Sequence, residues 1–168
     1  LMRQLAGSGL DVRLQGPRDH VLIDEGGKRR FATKPDIVVF RHGEPVLIID
    51  TKWKRISARF DDPKQGVSQS DVYQMMAYGQ LYRAPRLTLL YPRHDKLSDA
   101  GVVLARHRIS GRETLLETAC VTIGNPVLLM AELNEMLDGN VTATGRQSDP
   151  AEFVDEHAET QAQLGYGS

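Results

Sequence analysis

The chain has 168 residues, of which 40% are hydrophobic and 26% are charged, and its net charge at pH 7 is −1. This balance is that of one ordinary globular domain and excludes a chain too polar to bury a core. The single cysteine, Cys120, excludes an internal disulfide and a zinc site made of several thiolates. Because no apolar run reaches the length of a membrane span, we expect a cytoplasmic protein with no membrane partner.

Short alternating or β-branched runs predict strands in the first third of the chain. These runs lie at residues 9–14, 20–24, 29–33, 37–40 and 46–49. The last two are apolar at odd and even positions alike, which is typical of central strands buried on both faces of a sheet. Turns are predicted between paired runs at Glu25-Gly26-Gly27-Lys28 and at His42-Gly43-Glu44-Pro45.

The rest of the chain predicts two helices and three further strands. The first helix runs from about Ser70 to Tyr82, with Ser68 or Ser70 as its N-cap and Pro85 just past its end. Strands are predicted at residues 86–91, 102–109 and 115–123, and a last helix from Asn125-Pro126 to about Leu137. This order predicts an α/β domain with a mixed central β-sheet flanked by helices.

Three further segments lie outside these predicted strands and helices. Residues 1–5 read as the last turns of a helix, which indicates a chain truncated at its start. Residues 54–67 lack periodicity and predict a mobile surface loop. Residues 139–168 carry one Arg against five acids and few apolar side chains, and we expect a disordered acidic tail over 140–168. The folded domain is therefore predicted over residues 1–139.

Residues 1–138 carry 20 Lys and Arg against 17 Asp and Glu, which is compatible with DNA binding.

The hairpin between residues 35 and 53 predicts a cluster of charged side chains. If its turn is centred on Gly43, antiparallel partners have residue numbers that sum to 86, and Asp36 faces Asp50. Lys52 lies two residues beyond Asp50 and points to the same face of the sheet. Directly opposed side chains have Cβ atoms only ~4.5–5.5 Å apart. Two carboxylates and one ammonium are thus expected to meet at the end of a buried hairpin.

Paired buried carboxylates repel each other and favour protonation, and a divalent cation between them removes both problems. An oxygen-only ligand set suits Mg²⁺, and the backbone carbonyl of Thr51 is a candidate third ligand beside Asp36 and Asp50. Such a cation activates water and neutralises charge on a phosphodiester. Lys52 is then placed to stabilise developing negative charge. The set predicts metal-assisted phosphodiester hydrolysis.

The predicted first helix places Asp71, Gln74, Met75 and Tyr78 on one face. Gln74 is expected to reach the attacking water or a phosphate oxygen, and Tyr78 to brace the site or contact the DNA backbone. Lys54 and Arg55 are candidate phosphate contacts.

Each of these residues also has a structural explanation. Asp36 and Asp50 can start and end strands, and Lys52 can be the counter-ion of Asp50. Asp71 is a first-turn acid of the kind that the helix dipole favours, and a buried Tyr78 more often packs with its hydroxyl bonded. The register that joins two acids with Lys52 favours the catalytic interpretation.

These motifs resemble a known nuclease family. Pro35-Asp36 followed by Asp50-Thr51-Lys52 matches the PD-(D/E)XK signature, and the segment from Asp71 to Tyr78 resembles the Gln-x-x-x-Tyr helix motif of its RecB-like branch. With residues 34–38, 49–54 and 89–92, they resemble the McrC family over roughly residues 30 to 92. McrC proteins are the nuclease subunits of McrBC restriction systems.

The resemblance implies a restriction-endonuclease-like core and a Mg²⁺-dependent DNA endonuclease with catalytic residues Asp36, Asp50, Lys52 and Gln74. It also implies methylated-cytosine DNA as substrate and a GTP-hydrolysing AAA+ partner, McrB. The family carries a large N-terminal region that joins the partner ring, whereas this sequence begins almost at the expected nuclease core. Two alternatives stay open: a RecB-like nuclease module in DNA repair or recombination, and an inactive remnant that binds DNA or activates a partner.

Overall fold

The computed structural model describes residues 9–56 and 66–138. The expected helix end at residues 1–5, most of the expected loop at 54–67 and the expected acidic tail lie outside the described residues. The strands of the described chain are β1 Leu10–Leu14, β2 Asp19–Ile23, β3 Arg29–Thr33, β4 Ile37–Arg41, β5 Glu44–Thr51, β6 Arg86–Pro92, β7 Val103–Arg108 and β8 Leu115–Val121. The helices are α1 Gln69–Tyr82, a short 3-10 helix Asp95–Leu97, and α2 Pro126–Asp138.

A six-stranded mixed sheet in the order β1-β4-β5-β6-β8-β7 forms the centre of the fold. Strands β1, β4 and β5 are antiparallel neighbours, β5, β6 and β8 run parallel, and β7 returns antiparallel to β8. Strands β2 and β3 pair separately as an antiparallel hairpin. The α/β fold with a mixed sheet is therefore confirmed, and the carboxyl ends of three parallel strands lie along one edge of the sheet.

The two faces of the sheet pack against different helices. Side chains that alternate along β4 and β5 separate into two buried clusters, which confirms that both strands are covered on both faces. Helix α1 packs on one face, where Val38 and Ile48 meet Met75. Helix α2 packs on the other, where Val39 and Leu47 belong to the same cluster as Met136 and Leu137.

The turn between β4 and β5 differs from the prediction. Arg41 pairs with Glu44, and the two residues between them, His42 and Gly43, have φ values of 52° and 84°. These positive values are typical of a two-residue hairpin turn. The turn is thus centred between His42 and Gly43 rather than on Gly43, and residues 44 and 45 belong to β5.

A β-bulge restores the predicted register before the strands reach the charged residues. Phe40 pairs with Pro45, whereas Val39 pairs with Leu47, so one extra residue is inserted on β5. From there the partner numbers sum to 86, as in the pair Ile37 and Ile49. The register predicted for the far end of the hairpin is therefore confirmed, although the turn assumed for it is wrong.

Both helices begin at the caps that their sequences predict. The Ser68 side chain accepts a hydrogen bond from the backbone N–H of Asp71 at the start of α1. The side chain of Asn125 accepts from the N–H groups of Val127 and Leu128 at the start of α2.

Within the described residues, neither helix is long and apolar enough to cross a membrane.

Candidate functional site

The charged residues of the predicted site meet at the carboxyl end of β5, on the face that α1 covers. Asp50 is only 5% exposed. Its Oδ2 atom lies 2.6 Å from Lys52 Nζ. Its Oδ1 atom accepts a hydrogen bond of 3.2 Å from Gln74 Nε2. One strand end and one helix therefore hold both carboxylate oxygens of Asp50.

Asp36 is held by the strands on either side of it. Its Oδ2 atom accepts hydrogen bonds from the backbone N–H of Thr51 at 2.9 Å and from the Thr51 hydroxyl at 2.7 Å. Its Oδ1 atom accepts from Gln15 Nε2 at 3.2 Å, while the Gln15 N–H donates to the Asp36 carbonyl at 2.7 Å. The contact with Gln15, which follows β1, has no counterpart among the predicted site residues.

The Lys52 ammonium is at the centre of the cluster. Besides Asp50, its Nζ atom lies 3.0 Å from Gln74 Oε1 and 3.2 Å from Asp71 Oδ1. An ammonium has three N–H donors, and these contacts occupy all three. Lys52 is thus oriented by two carboxylates and one amide, which holds its position more firmly than a single counter-ion would.

Gln74 and Tyr78, the pair of the helix motif, are hydrogen-bonded to each other. Gln74 Nε2 donates to the Tyr78 hydroxyl at 2.9 Å as well as to Asp50. Because Gln74 Oε1 faces Lys52, the amide has one defined orientation. Tyr78 is buried and braces the Gln74 amide from beneath, whereas its alternative role as a DNA contact stays a prediction.

Asp71 belongs to the site, which its position in the first helical turn did not predict. It is only 9% exposed, and it accepts from both Lys52 and Lys54. The spacing of three residues between Asp71 and Gln74 on one helix face was the available signal. Lys54 is therefore occupied with Asp71 in this structure, and Arg55 is exposed beside it.

The three ionisable groups of the cluster have shifted pKa values. Burial raises the pKa of Asp50, Lys52 offsets part of that rise, and the charges of Asp36 and Asp71 raise it further. Burial would lower the pKa of Lys52, but its contacts with Asp50 and Asp71 outweigh burial and raise it. Burial would raise the pKa of Asp71, but hydrogen bonds from Lys54, Ser68 and Lys52 lower it. Lys52 is thus cationic at neutral pH.

Tyr91, on the neighbouring strand β6, belongs to the cluster of buried apolar side chains that packs under α1. It is 0% exposed, and its hydroxyl has no hydrogen-bond partner among the described residues. Burial, with smaller contributions from the charges of Asp71 and Asp50, raises the pKa of Tyr91 to about 12. The hydroxyl is therefore neutral and close to the carboxylates without contacting them.

The donor set fits a hard cation such as Mg²⁺. In residues 9–56 and 66–138, no group of three or more His, Cys, Asp or Glu is arranged to hold a metal. The candidate ligands for a cation are therefore the two carboxylates of Asp36 and Asp50, and each carboxylate offers about four lone-pair sites. Asp50 uses one contact on each oxygen, so acceptor capacity is left for a cation. Thr51, a candidate carbonyl ligand, already fixes Asp36 through its N–H and hydroxyl.

A mixed six-stranded sheet flanked by helices, with acids and a lysine at the end of a central strand, defines an α/β domain and is consistent with a nuclease-like core. A family model described as "McrBC 5-methylcytosine restriction system component" matches residues 1–92. Since this match covers more than half of the chain, the protein belongs to the McrBC family. No curated protein matches it.

A solved structure of Thermococcus gammatolerans McrB AAA+ hexamers with bound McrC contains a chain of similar fold. The two align with a TM-score of 0.59 and 14% sequence identity, over 83% of this chain and 30% of that chain. At this identity the likeness shows the fold alone. This chain spans less than a third of the length of the chain that it matches.

Proposed function

We propose that this chain is the Mg²⁺-dependent DNA endonuclease component of a methylcytosine-dependent restriction system. The observation that carries the proposal is the hydrogen-bonded cluster of Asp50, Lys52 and Gln74 at the carboxyl end of β5, with Asp36 beside it. The charge of Asp36 contributes to the raised pKa of Asp50, which supports a cation between the two carboxylates. Membership of the McrBC family supports a restriction role for such a cluster.

Asp36, Asp50 and the backbone carbonyl of Thr51 would hold Mg²⁺. When bound, this ion supplies Lewis-acid chemistry and the activation of a water molecule near the scissile phosphate. Thr51 keeps Asp36 in place through its N–H and hydroxyl, and Gln74 does the same for Asp50. The chain itself thus prearranges the carboxylates on two strands and one helix.

Lys52 would donate to a non-bridging oxygen of the scissile phosphate and stabilise the negative charge that develops there. All three of its N–H groups have acceptors, so a phosphate must replace one of them. Asp71 is the acceptor that Lys52 can release at the lowest cost, because Lys54 continues to neutralise it. Lys54 and Arg55 would hold the neighbouring DNA backbone.

Family membership supports a proposal for the partner and the substrate. The solved structure of similar fold holds McrC with McrB AAA+ hexamers. We infer that this chain works with a GTP-hydrolysing AAA+ subunit of the McrB kind, on DNA with methylated cytosine, in the cytoplasm.

Substitution of Asp50 tests the proposal. Asp50→Ala should lower cutting of methylated plasmid DNA, assayed with the AAA+ partner, GTP and Mg²⁺, by at least ~100-fold. Glu44→Gln is the matched control, because Glu44 is an exposed acid at the other end of the same strand. Circular dichroism should show both variants folded. Cutting at the wild-type rate by Asp50→Ala would refute the assignment.

Two further results would redirect the proposal. Cutting that requires DNA ends and ignores cytosine methylation would indicate a repair or recombination nuclease. Calorimetry that detects neither Mg²⁺ nor DNA binding by the folded wild-type chain would indicate an inactive remnant.

A further inference from the structure

An apolar cleft crosses the carboxyl ends of the three parallel strands, next to the charged cluster. Its walls are residues 51–53 at the end of β5, residues 90–92 of β6, and Val121 and Ile123 at the end of β8. Lys52 therefore belongs both to the charged cluster and to the wall of this cleft. The exposed lining of the cleft is apolar, because the Lys52 ammonium points to Asp50, Asp71 and Gln74 in the charged cluster.

Trp53 is the most exposed large side chain of the cleft. It is 81% exposed, and Ile123 across the cleft is 49% exposed. An aromatic side chain of this size normally buries most of its surface. Lys54 and Arg55 follow Trp53 directly in the chain, and the Lys54 ammonium is bound to Asp71 in the charged cluster. The cleft thus has an open aromatic side chain that is flanked in the sequence by Lys52 and Lys54, whose amines belong to the charged cluster.

We propose that the cleft binds one unstacked nucleobase of the DNA, stacked on Trp53, next to the phosphate that Lys52 holds; this inference rests on the proposed function. In a nucleotide, one sugar joins a flat base to a phosphate. In this chain, Trp53 in the wall of the cleft is the next residue after Lys52. Stacking on aromatic side chains tolerates any base because every base has a π-face. Trp53 would therefore bind DNA without reading its sequence.

Trp53 is the only tryptophan of the chain, so its intrinsic fluorescence reports directly on this cleft. The probe is a short fluorescein-labelled single-stranded oligonucleotide, titrated in EDTA so that no cutting occurs. A matched strand in which every nucleotide is abasic provides the phosphates without the bases. Fluorescence anisotropy of the labelled strand measures binding, and Trp53 emission measures stacking.

The strand with bases should quench Trp53 emission as it binds, and the abasic strand should bind without comparable quenching. Trp53→Ala should weaken binding of the strand with bases by about 5- to 100-fold, the equivalent of one stacked base. Trp53→Phe should recover most of the affinity. Phe31→Ala should change nothing, because Phe31 is 74% exposed on the separate β2–β3 hairpin.

Four results would overturn the inference: no DNA binding, equal quenching by both strands, unchanged affinity of Trp53→Ala, or emission that shifts with protein concentration alone. The last result would mean that a second copy covers Trp53. The two proposals fail separately. Quenching without any Mg²⁺-dependent cutting would refute the nuclease assignment and keep the stacking site. Normal cutting by Trp53→Ala with unchanged affinity would refute the stacking site and keep the nuclease assignment.

Discussion

Substitution of Tyr91 by Phe should stabilise the protein, because it removes a buried hydroxyl that bonds to nothing in the described part of the chain. A buried polar group without a partner costs about 1–3 kcal/mol, whereas Phe keeps the ring and its packing. Tyr91 is 0% exposed and belongs to the cluster under α1, so no water competes for its place. We expect a gain of about 1 kcal/mol in the free energy of unfolding at pH 8.

The gain should grow at alkaline pH. The pKa of Tyr91 is about 12 in the folded state, against an ordinary tyrosine value of 10.0. Between these values the unfolded chain has lost the phenol proton and the folded chain keeps it, so the unfolded state binds fewer protons and stability falls as pH rises. This loss reaches about 1.4 kcal/mol at pH 11. Tyr91→Phe has no phenol at this position and should not show this loss of stability.

Urea unfolding of both proteins, followed by circular dichroism at intervals from pH 8 to pH 11, measures the two effects. The difference in unfolding free energy should rise from about 1 to about 2–3 kcal/mol over this range. Cutting of methylated DNA at pH 8 should be unchanged, since the hydroxyl contacts no site residue. A variant less stable than wild type at pH 8 would mean that the hydroxyl has a hydrogen-bond partner, and the reasoning would be wrong.

Two more substitutions test the ion pairs. Asp71→Asn should cost about 1–3 kcal/mol at pH 7, because Lys52 and Lys54 lose a buried acceptor. The lowered pKa of Asp71 means that its contribution to stability is present above pH 3.8 and is lost as pH falls through the folded-state pKa. Urea unfolding at pH 7 and near pH 3 should therefore show a smaller gap between variant and wild type in acid, and an equal gap would contradict the ion pair. Glu117→Gln should cost about 3–5 kcal/mol, because Glu117 is 0% exposed and faces two arginines, and thermal unfolding that matches wild type would contradict this.

The hairpin shows how local patterns can predict a site and where they fail. The runs at 37–40 and 46–49 predict two buried strands because both are apolar on both faces, and the structure confirms this. The bulge is not predictable from those runs. It lies where Pro45, which has no N–H to donate, pairs with Phe40, and the extra residue on β5 offsets the turn that begins at His42. The turn shifts the pairing by one residue and the bulge shifts it back, so the predicted register holds where the strands reach Asp36 and Asp50.

Contacts between distant elements were not predictable in the same way. Gln15 reaches Asp36 because β1 pairs with β4, a pairing that no local signal encodes. The position of β8 between β6 and β7 also depends on the whole sheet. By contrast, Asp71 could have been found, since it shares a helix face with Gln74 and an acid there is close to the predicted Lys52.

The electrostatics of the cluster indicate where a cation would bind. Asp50 and Asp71 both contact Lys52, yet the pKa of Asp50 is raised and that of Asp71 is lowered. A second ammonium, Lys54, and the Ser68 side chain help to lower the pKa of Asp71. Asp50 is more deeply buried, shares the one ammonium of Lys52 and is affected by the charge of Asp36. The negative charge of Asp36 and Asp50 is therefore less fully compensated than that of Asp71. A divalent cation there would neutralise the excess and leave Lys52, Lys54 and the ion with a net positive field toward a phosphate.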